Sequence, residues 1–379
     1  MGDALLDGVD RAVSDVIAPA ARVVDSEGKF PREGVDALAR AGVLGLTMGT
    51  DCGGGGADLR TACAVVERVA RACGSTAMVL VMHYAACTVL DKHAPARVRR
   101  SIASGEHLST IAFSEPGTRS HFWVSECRAA RDGEHAVLDG PKSWITAAGE
   151  ADSYVWSTLP ADGAGTTTLW FVPAATPGLS EPPRFDGLGL RGNGSSPITA
   201  SGVQVPAEHC LGTDGAGFEM AMGTVLPWFL TMSAAFSIGL MESVMEVTIR
   251  HLTSTRLEHL GVTLADQPLA RSALGRMRVD IDRTRTLLES AATAVDTRAP
   301  GAVVRPLEAK AAAAETAVEV TDRAMSVCGG AAFRKDLGIE RRFRDARAAR
   351  VMAPTTEALY EFIARMLCGL PMFEFRATA

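Results

Sequence analysis

The stretch "VMAPTTEALYEF" (residues 351–362) contains a proline between two segments of helical character. It follows the charged run "ERRFRDARAAR" (340–350) and leads into an apolar, helix-like segment. Because proline has no N–H to donate and its ring clashes with the preceding helical turn, we expect one helix to end and another to begin at Pro354. Ala353 would then lie at the junction between the two helices.

Helical patterning extends from this junction back to about Gly215. Long segments such as 271–295 and 308–327 repeat apolar residues every three to four positions, and short polar loops separate them. Long helices joined by short loops are typical of a helical bundle.

The first 108 residues are also helical in character. "GVDALARAGV" (34–43) and "LRTACAVVERVARACG" (59–74) each place apolar residues on one helix face. Between them, "GTDCGGGGADL" (49–59) is predicted to be a turn or loop, because four consecutive glycines make a helix interior too costly.

The middle of the chain differs from both flanks. Short strand-like runs are separated there by Gly, Pro and Asp, namely "STIAF", "HAVLDG", "SYVWSTL", "TTLWFVP" and "ITASGVQVP". We therefore predict a helical domain over residues 1–108, a β domain over 109–213 and a helical bundle over 214–379.

Charge and hydropathy exclude several classes of partner. The net charge is −6 and no tract rich in Lys or Arg is present, so nonspecific nucleic-acid binding is not expected. The N-terminus lacks the basic and apolar regions of a signal peptide, which predicts a cytoplasmic protein. The longest apolar run (225–245) contains Pro227 and Glu242, which favours a helix buried among other helices over a membrane span.

The cysteines indicate neither a disulfide framework nor a metal site. They form no CxxC pair and have no companion His at metal-ligand spacing; their positions are 52, 63, 73, 87, 127, 210, 328 and 368. We expect buried, reduced thiols and no bound metal.

Four stretches, in this order along the chain, resemble the acyl-CoA dehydrogenase flavoprotein family. They are "AFSEPGTRS" (112–120), "LDGPKSWITAAGEAD" (138–152), "GLRGNGSSPITASGVQVPAEHCLGTDGAGF" (189–218) and "CGGAAFRKDLGIERRFRDAR" (328–347). The resemblance implies a mainly α fold with a central β domain: an N-terminal helical domain, a β-barrel-like middle domain and a C-terminal four-helix bundle. It also implies FAD as the cofactor.

The first two stretches imply the surroundings of the flavin ring. By this resemblance, Phe113 and Ser114 line the isoalloxazine together with Trp144, Ile145 and Thr146. Thr146 would hydrogen-bond near the redox-active nitrogen. A flavin needs such neutral partners and a flat apolar wall, although Trp144 as an ordinary core aromatic is the alternative.

Further contacts to the cofactor are implied elsewhere in the chain. Ser120 matches a position that touches the pyrophosphate, and Gly329 and Gly330 match a glycine pair that lets the backbone approach the cofactor. Thr355 and Glu357 match contacts to FAD at a helix N-terminus, where free N–H groups favour an anion. The alternatives are a solvated serine, a helix-terminating turn and plain helix capping.

Two residues imply an oligomer. Arg256 and Gln267 match an arginine and a glutamine that reach the FAD of a neighbouring subunit in the family, and the guanidinium fork suits a phosphate. A homodimer or homotetramer is therefore expected, with a surface arginine as the alternative.

The catalytic carboxylate of the family is missing. Most members carry a Glu where this chain has Ala353, and a minority carry it on the first long bundle helix, where the equivalent position is Phe229. Neither side chain accepts a proton. The catalytic base is therefore unknown. Four residues could titrate or lie close in sequence to Ala353, namely His121, His259, Glu357 and Glu361. None is a convincing substitute, because a structural role explains each of them as well.

These observations lead to two candidate activities. The first is an FAD-dependent dehydrogenase of an acyl thioester, carried by CoA or by an acyl carrier protein, with an electron-transfer flavoprotein or oxygen as acceptor. The second is a flavin-dependent monooxygenase of the same fold, supplied with reduced flavin by a partner reductase, because that chemistry needs no base against an α carbon. A noncatalytic scaffold is disfavoured because the flavin motifs are retained.

Overall fold

The computed structural model describes residues 2–118 and 121–373. Six α-helices precede the first strand: α1 (Gly2–Ala12), α2 (Ala18–Ser26), α3 (Arg32–Arg40), α4 (Leu59–Ala72), α5 (Gly74–His93) and α6 (Ala96–Ala103). Helix α5 packs against α4, the first strand and the bundle, so almost its whole length is buried.

The glycine-rich segment before α4 is a loop, as predicted. After one turn of 3-10 helix (Thr50–Cys52), the chain runs without regular structure to Asp58, whose carboxylate caps α4 by accepting the Thr61 N–H. A Cβ atom on Gly54 would lie 2.3 Å from the Met48 carbonyl oxygen, so this loop is folded too tightly for a larger residue.

Seven strands form the middle of the chain: β1 (Ser109–Ala112), β2 (Arg128–Asp132), β3 (His135–Ile145), β4 (Ser153–Thr158), β5 (Thr168–Pro173), β6 (Leu179–Ser180) and β7 (Ser196–Pro206). They make two sheets, one of order β1-β4-β5 and one of order β2-β3-β7-β6. In the first sheet β1 runs parallel to β4, with Ile111 opposite Val155, and the remaining pairs in both sheets are antiparallel.

The two sheets differ in burial. Nearly every residue of β1, β4 and β5 is buried, including their Ser and Thr residues, so these strands show no alternation between buried and exposed side chains. Strand β3 instead alternates between buried and accessible side chains, so one face of its sheet is exposed to solvent. The predicted barrel-like domain thus consists of two sheets with different surroundings.

The C-terminal part contains α7 (Gly217–Met220), α8 (Leu226–Ser254), α9 (Pro268–Asp296), α10 (Val304–Cys328), α11 (Ile339–Val351) and α12 (Thr356–Leu367). A short hairpin of β8 (Arg256–Leu257) and β9 (Val262–Thr263) precedes α9. Helix α10 is central, because it packs against α8, α9, α11 and α12. The predicted bundle of long helices is confirmed.

One helical stretch, Gly217–Ser254, is long and apolar enough to cross a membrane by length and composition. Of its most apolar window, 78% is buried inside the protein. This burial agrees with the predicted core helix, which packs against α4, α9, α10 and α11.

A glycine on α8 permits the close approach of α4. A Cβ atom on Gly239 would lie 2.5 Å from the Glu67 carbonyl oxygen and 2.7 Å from the Ala70 Cβ atom. We predict that Gly239→Ala lowers the free energy of unfolding by about 1–3 kcal/mol, because the helices must move apart. Chemical denaturation followed by circular dichroism measures the change.

The matched control is Gly275→Ala on α9, where no atom lies within 4 Å of the added Cβ. This change is expected to raise the free energy of unfolding by about 0.5–1 kcal/mol, because alanine has the higher helix propensity. Equal effects of the two substitutions would contradict the close packing of α8 against α4.

Candidate active site

The predicted break at Pro354 is present. Helix α11 ends at Val351, α12 begins at Thr356, and Thr355 is the N-cap, with its hydroxyl oxygen accepting the Ala358 N–H at 3.4 Å. The peptide bond between Ala353 and Pro354 is cis. The break turns the chain so that residues on both sides of it reach the same cavity.

A cavity of about 670 Å³ lies at this junction, a size typical of small-molecule sites. Three regions line it. The ends of β1 and β3 contribute Ser114, Glu115, Pro116, Ser143, Trp144 and Thr146. The loop before β7 contributes Phe185, Gly187, Gly189, Leu190, Arg191, Asn193 and Ser195. The helices and their junction contribute Met78, Met82, Phe229, Ala348, Val351, Met352, Ala353 and Thr355.

The β-domain wall depends on an irregularity in β3. The register of β3 against β7 shifts between Lys142 and Ile145, and Trp144 has a φ of 57°. Irregular pairing of this kind re-aims side chains near functional sites. Trp144 is consequently 61% exposed, with its ring centroid 4.2 Å from that of Phe185, so it is not the core aromatic of the alternative interpretation.

The side chains of Phe113 and Ile145 do not line the cavity, which corrects the expectation that they form its apolar wall. Both are buried in the hydrophobic core. Phe113 directly precedes Ser114, and Ile145 lies between Trp144 and Thr146. Ser114 and Thr146, their neighbours, are the ones that line the cavity.

Helix α11 holds the loop that forms the opposite wall. The Asp345 carboxylate accepts the Leu190 N–H at 2.7 Å, and the Arg344 guanidinium donates to the Leu188 carbonyl at 3.0 Å and to the Asp25 carboxylate. Burial raises the pKa of Asp345 to about 6, while the Leu190 amide opposes the rise. These contacts hold the loop against α11.

Glu115 is the carboxylate that lines the cavity among the described residues, and it is already engaged. Its oxygens accept from the Lys142 ammonium at 2.6 Å, the Ser125 hydroxyl at 2.7 Å and the Glu126 N–H at 2.7 Å. Burial alone would raise the pKa of Glu115, but Lys142 and these hydrogen bonds outweigh it and hold the pKa below the ordinary value. A carboxylate with these partners is a poor proton acceptor.

Ala353 and Phe229 both line the cavity. The two positions where the resemblance implies a base thus face the same cavity, and both are apolar. Within residues 2–118 and 121–373, no imidazole or uncommitted carboxylate joins them in the cavity wall. None of the four substitutes named above is among the lining residues: His121, His259, Glu357 and Glu361 are exposed.

The start of α12 offers hydrogen-bond donors beside the cavity. Thr355 lines it, and the N–H groups of Thr356 and Glu357 have no partner within the helix, whereas the Ala358 N–H donates to the Thr355 hydroxyl. The hydroxyl of Thr356 is buried without a hydrogen-bond partner in the described part of the chain. These groups and the helix dipole fit an anionic group such as a phosphate. Glu357 on the same turn is exposed.

The structure places four predicted cofactor residues away from this cavity. Arg256 is exposed on β8 and donates to the Gly261 carbonyl at 2.9 Å. Gln267 lines a second groove of about 390 Å³ with Leu269 and Val327, and exposed Gly329 and Gly330 follow Val327 in the chain. Within one chain, these four residues therefore do not line the first cavity, and their contact with FAD stays a prediction.

The prediction for Ser120 falls outside the residues that the structure describes. The absence of a metal stays a prediction: Asp51, Cys52 and Asp91 could group around an ion, but Arg99 already pairs with both carboxylates. Of the cysteines, five are buried, as expected, and Cys368 is exposed.

Sequence reasoning missed several cavity residues. Met78 and Met82 are four residues apart on α5 and so share a face, but that spacing does not distinguish a cavity wall from a core. Phe185, Arg191 and Asn193 belong to an irregular loop, whose path no periodicity predicts.

Comparison with known proteins decides the family. Three profiles match successive parts of the chain: "Acyl-CoA dehydrogenase, N-terminal domain" over residues 2–104, "middle domain" over 110–203 and "C-terminal domain" over 215–368. The chain belongs to the acyl-CoA dehydrogenase family. Its relatives are oxidoreductases that act on CH–CH groups, and members of the family are flavoproteins that bind FAD.

Relatives cover nearly the whole chain. A cyclohex-1-ene-1-carbonyl-CoA dehydrogenase of Geobacter metallireducens is 28% identical over 375 residues, which cover 96% of each protein. The butyryl-CoA dehydrogenase of Megasphaera elsdenii has a TM-score of 0.90 at 23% identity and covers 97% of this chain and 99% of that one.

A solved prolyl acyl carrier protein oxidase is also similar in structure. Its TM-score is 0.87 at 20% identity, and the match covers 97% of this chain and 99% of that one. At this identity the likeness shows the acyl-CoA dehydrogenase fold alone. The predicted family and fold class are thereby confirmed.

Proposed function

We propose that this family member is an FAD-dependent dehydrogenase of an acyl thioester, carried by CoA or by an acyl carrier protein, that works without the usual glutamate. The observation that carries the proposal is the shared cavity wall. Residues of the stretches 112–120 and 138–152 lie there beside the α11–α12 junction. The chain belongs to the acyl-CoA dehydrogenase family.

The cavity fits a flavin in three respects. Trp144, whose ring stacks on that of Phe185, provides an aromatic surface, and the hydroxyls of Ser114 and Thr146 provide neutral hydrogen-bond partners. The first turn of α12 provides donors for a phosphate. When bound, FAD would supply the acceptor for the two electrons that leave the substrate.

The helical wall suits an apolar acyl group. Met78, Met82 and Phe229 offer thioether and aromatic surfaces without charge, and Met side chains adapt to irregular shapes. Because the described residues of the cavity wall offer no free base beside Ala353, we expect the α proton to leave to water or to a basic group of the substrate itself. This limits the rate with simple acyl groups, whose α protons are weakly acidic.

A monooxygenase of the same fold is the second candidate. The observation that favours it is the absence of an uncommitted carboxylate or imidazole from the cavity wall formed by the described residues. Such an enzyme would take reduced flavin from a partner reductase and would use oxygen. For the dehydrogenase, an electron-transfer flavoprotein or oxygen would reoxidise the flavin.

We also propose a homodimer or homotetramer. Within one chain Arg256 and Gln267 do not line the first cavity, as expected of residues that serve a neighbouring subunit. Leu269 beside the second groove and Phe333 just after the glycine pair are more than 80% exposed, and exposed apolar surface of this kind is typical of an interface. The proposed oligomer would cover it.

The activity is tested by mixing the purified protein anaerobically with a panel of acyl-CoA and acyl-carrier thioesters. We expect the visible flavin absorbance to bleach with at least one thioester, because substrate electrons reduce the bound cofactor. If no thioester bleaches it and a supplied reductase gives oxygen-dependent product, the protein is a monooxygenase. A preparation that cannot bind FAD would refute both.

Restoring a carboxylate tests the role of Ala353. Ala353→Glu is expected to raise the rate of flavin reduction by butyryl-CoA by about 100-fold or more, a typical contribution of a positioned general base. Ala353→Gln is the matched control, because it has the same shape and cannot accept the proton. Equal rates in the two variants, with FAD still bound, would show that position 353 does not face the α carbon.

Oligomerisation is tested by light scattering of the FAD-loaded protein. We expect two or four times the chain mass, and Leu269→Asp is expected to lower it, because a charge at an apolar interface is left unpaired. The control, Val279→Asp, changes an exposed residue on the same helix. A stable FAD-saturated monomer of the wild type would contradict the proposal.

A further inference from the structure

Lys310 is a buried cation whose partners set it apart from the other buried lysine. It lies on α10 and its side chain is 1% exposed. Lys142, which is equally buried, pairs with the Glu115 carboxylate. For Lys310, the described residues contain no carboxylate within ion-pair distance.

Three backbone carbonyls surround the Lys310 ammonium instead. Its Nζ atom donates to the Pro354 carbonyl at 2.7 Å, the Met352 carbonyl at 3.1 Å and the Ala349 carbonyl at 3.4 Å. The Ala349 carbonyl belongs to the last turn of α11, where carbonyls lack a partner within the helix. The other two belong to the junction before α12.

The geometry matches an ammonium rather than an amine. An ammonium has three N–H donors for these three acceptors, whereas a neutral amine has two. The positive charge also lies at the negative end of the α11 dipole. Burial lowers the pKa of Lys310 to about 7, so the carbonyls and the dipole are the groups that oppose the loss of its proton.

The segment that Lys310 contacts is the same one that forms part of the cavity wall. Met352, Ala353 and Thr355 line the cavity, and two of the three carbonyl acceptors lie within or directly beside this trio. Lys310 itself does not line the cavity. It therefore acts on the cavity through the backbone of the junction.

We propose that Lys310 is a positioning residue: its ammonium ties the end of α11 to the start of α12 and so fixes the cavity wall that carries Ala353. The role extends to FAD binding, because the same junction places the first turn of α12. The hydrogen bonds from Lys310 to the junction do not depend on whether the enzyme dehydrogenates a thioester or uses oxygen.

The test compares Lys310→Met with the wild type by hydrogen–deuterium exchange of the as-purified protein. Methionine fills similar space but leaves the three carbonyls without a donor. We expect amides of residues 352–359 to exchange roughly 10- to 100-fold faster, because hydrogen bonds to a charged group are lost. Peptides of α4 and α9 should be unchanged, and Lys335→Met, at an exposed lysine, is the control.

A second readout tests the link to the cavity. FAD is titrated into deflavinated protein, and we expect Lys310→Met to raise its Kd about ten-fold, from the same loss of junction contacts. Lys310→Gln, which retains two N–H donors without charge, should give a smaller increase. If wild-type protein binds no FAD, the proposed function fails, whereas the exchange experiment still decides the role of Lys310.

Several results would overturn the proposal. If residues 352–359 of Lys310→Met exchange at the wild-type rate, Lys310 does not hold the junction. If exchange is faster to the same extent in α4 and α9, the substitution lowers the stability of the whole protein and has no local effect. If exchange is faster only at residues 352–359 and the Kd for FAD is unchanged, Lys310 holds the junction but does not affect FAD binding. Should neither variant fold, a crystal structure of the wild type decides: Nζ more than 3.5 Å from the Met352 and Pro354 carbonyls refutes it.

Discussion

The buried pair of Glu115 and Lys142 joins the ends of β1 and β3, and the β-domain wall of the cavity depends on it. Two charges are taken out of water at a high desolvation cost. Hydrogen bonds from Ser125, the Glu126 amide and Lys142 offset that cost at the carboxylate, and the Ser157 hydroxyl accepts from the ammonium. Because Lys142 pairs with it, the Glu115 carboxylate does not face the cavity as a free base.

The two buried lysines fix the two sides of the cavity in different ways. Lys142 is neutralised by a carboxylate and anchors the strand that leads to Trp144. Lys310 is solvated by backbone carbonyls and contacts the junction that carries Ala353. Neither lysine lines the cavity itself, so both ammonium groups order the backbone around it, and the helical wall with Met78, Met82 and Phe229 remains apolar.

The order of units and the break at Pro354 followed from local chemistry. Periodicity, glycine content and the missing proline N–H act within a few residues, so the helices, the strands and the Thr355 N-cap were predictable. The orientation of Phe113 and Ile145 was not. Whether a residue at or just beyond the end of a strand faces the core or the cavity depends on the local path of the backbone and on the element packed behind it.

The sequence by itself indicated the family, the three-part order of elements, and Ala353 and Phe229 at the two positions where the resemblance implies a glutamate, because each depends on residue identity and spacing. Only the tertiary structure decided that both apolar positions line one cavity, that Glu115 is engaged by Lys142, and that Lys310 contacts the α11–α12 junction. Those facts join residues up to 124 positions apart, from Phe229 to Ala353. Contacts over such separations depend on how helices and sheets pack, which no local pattern encodes.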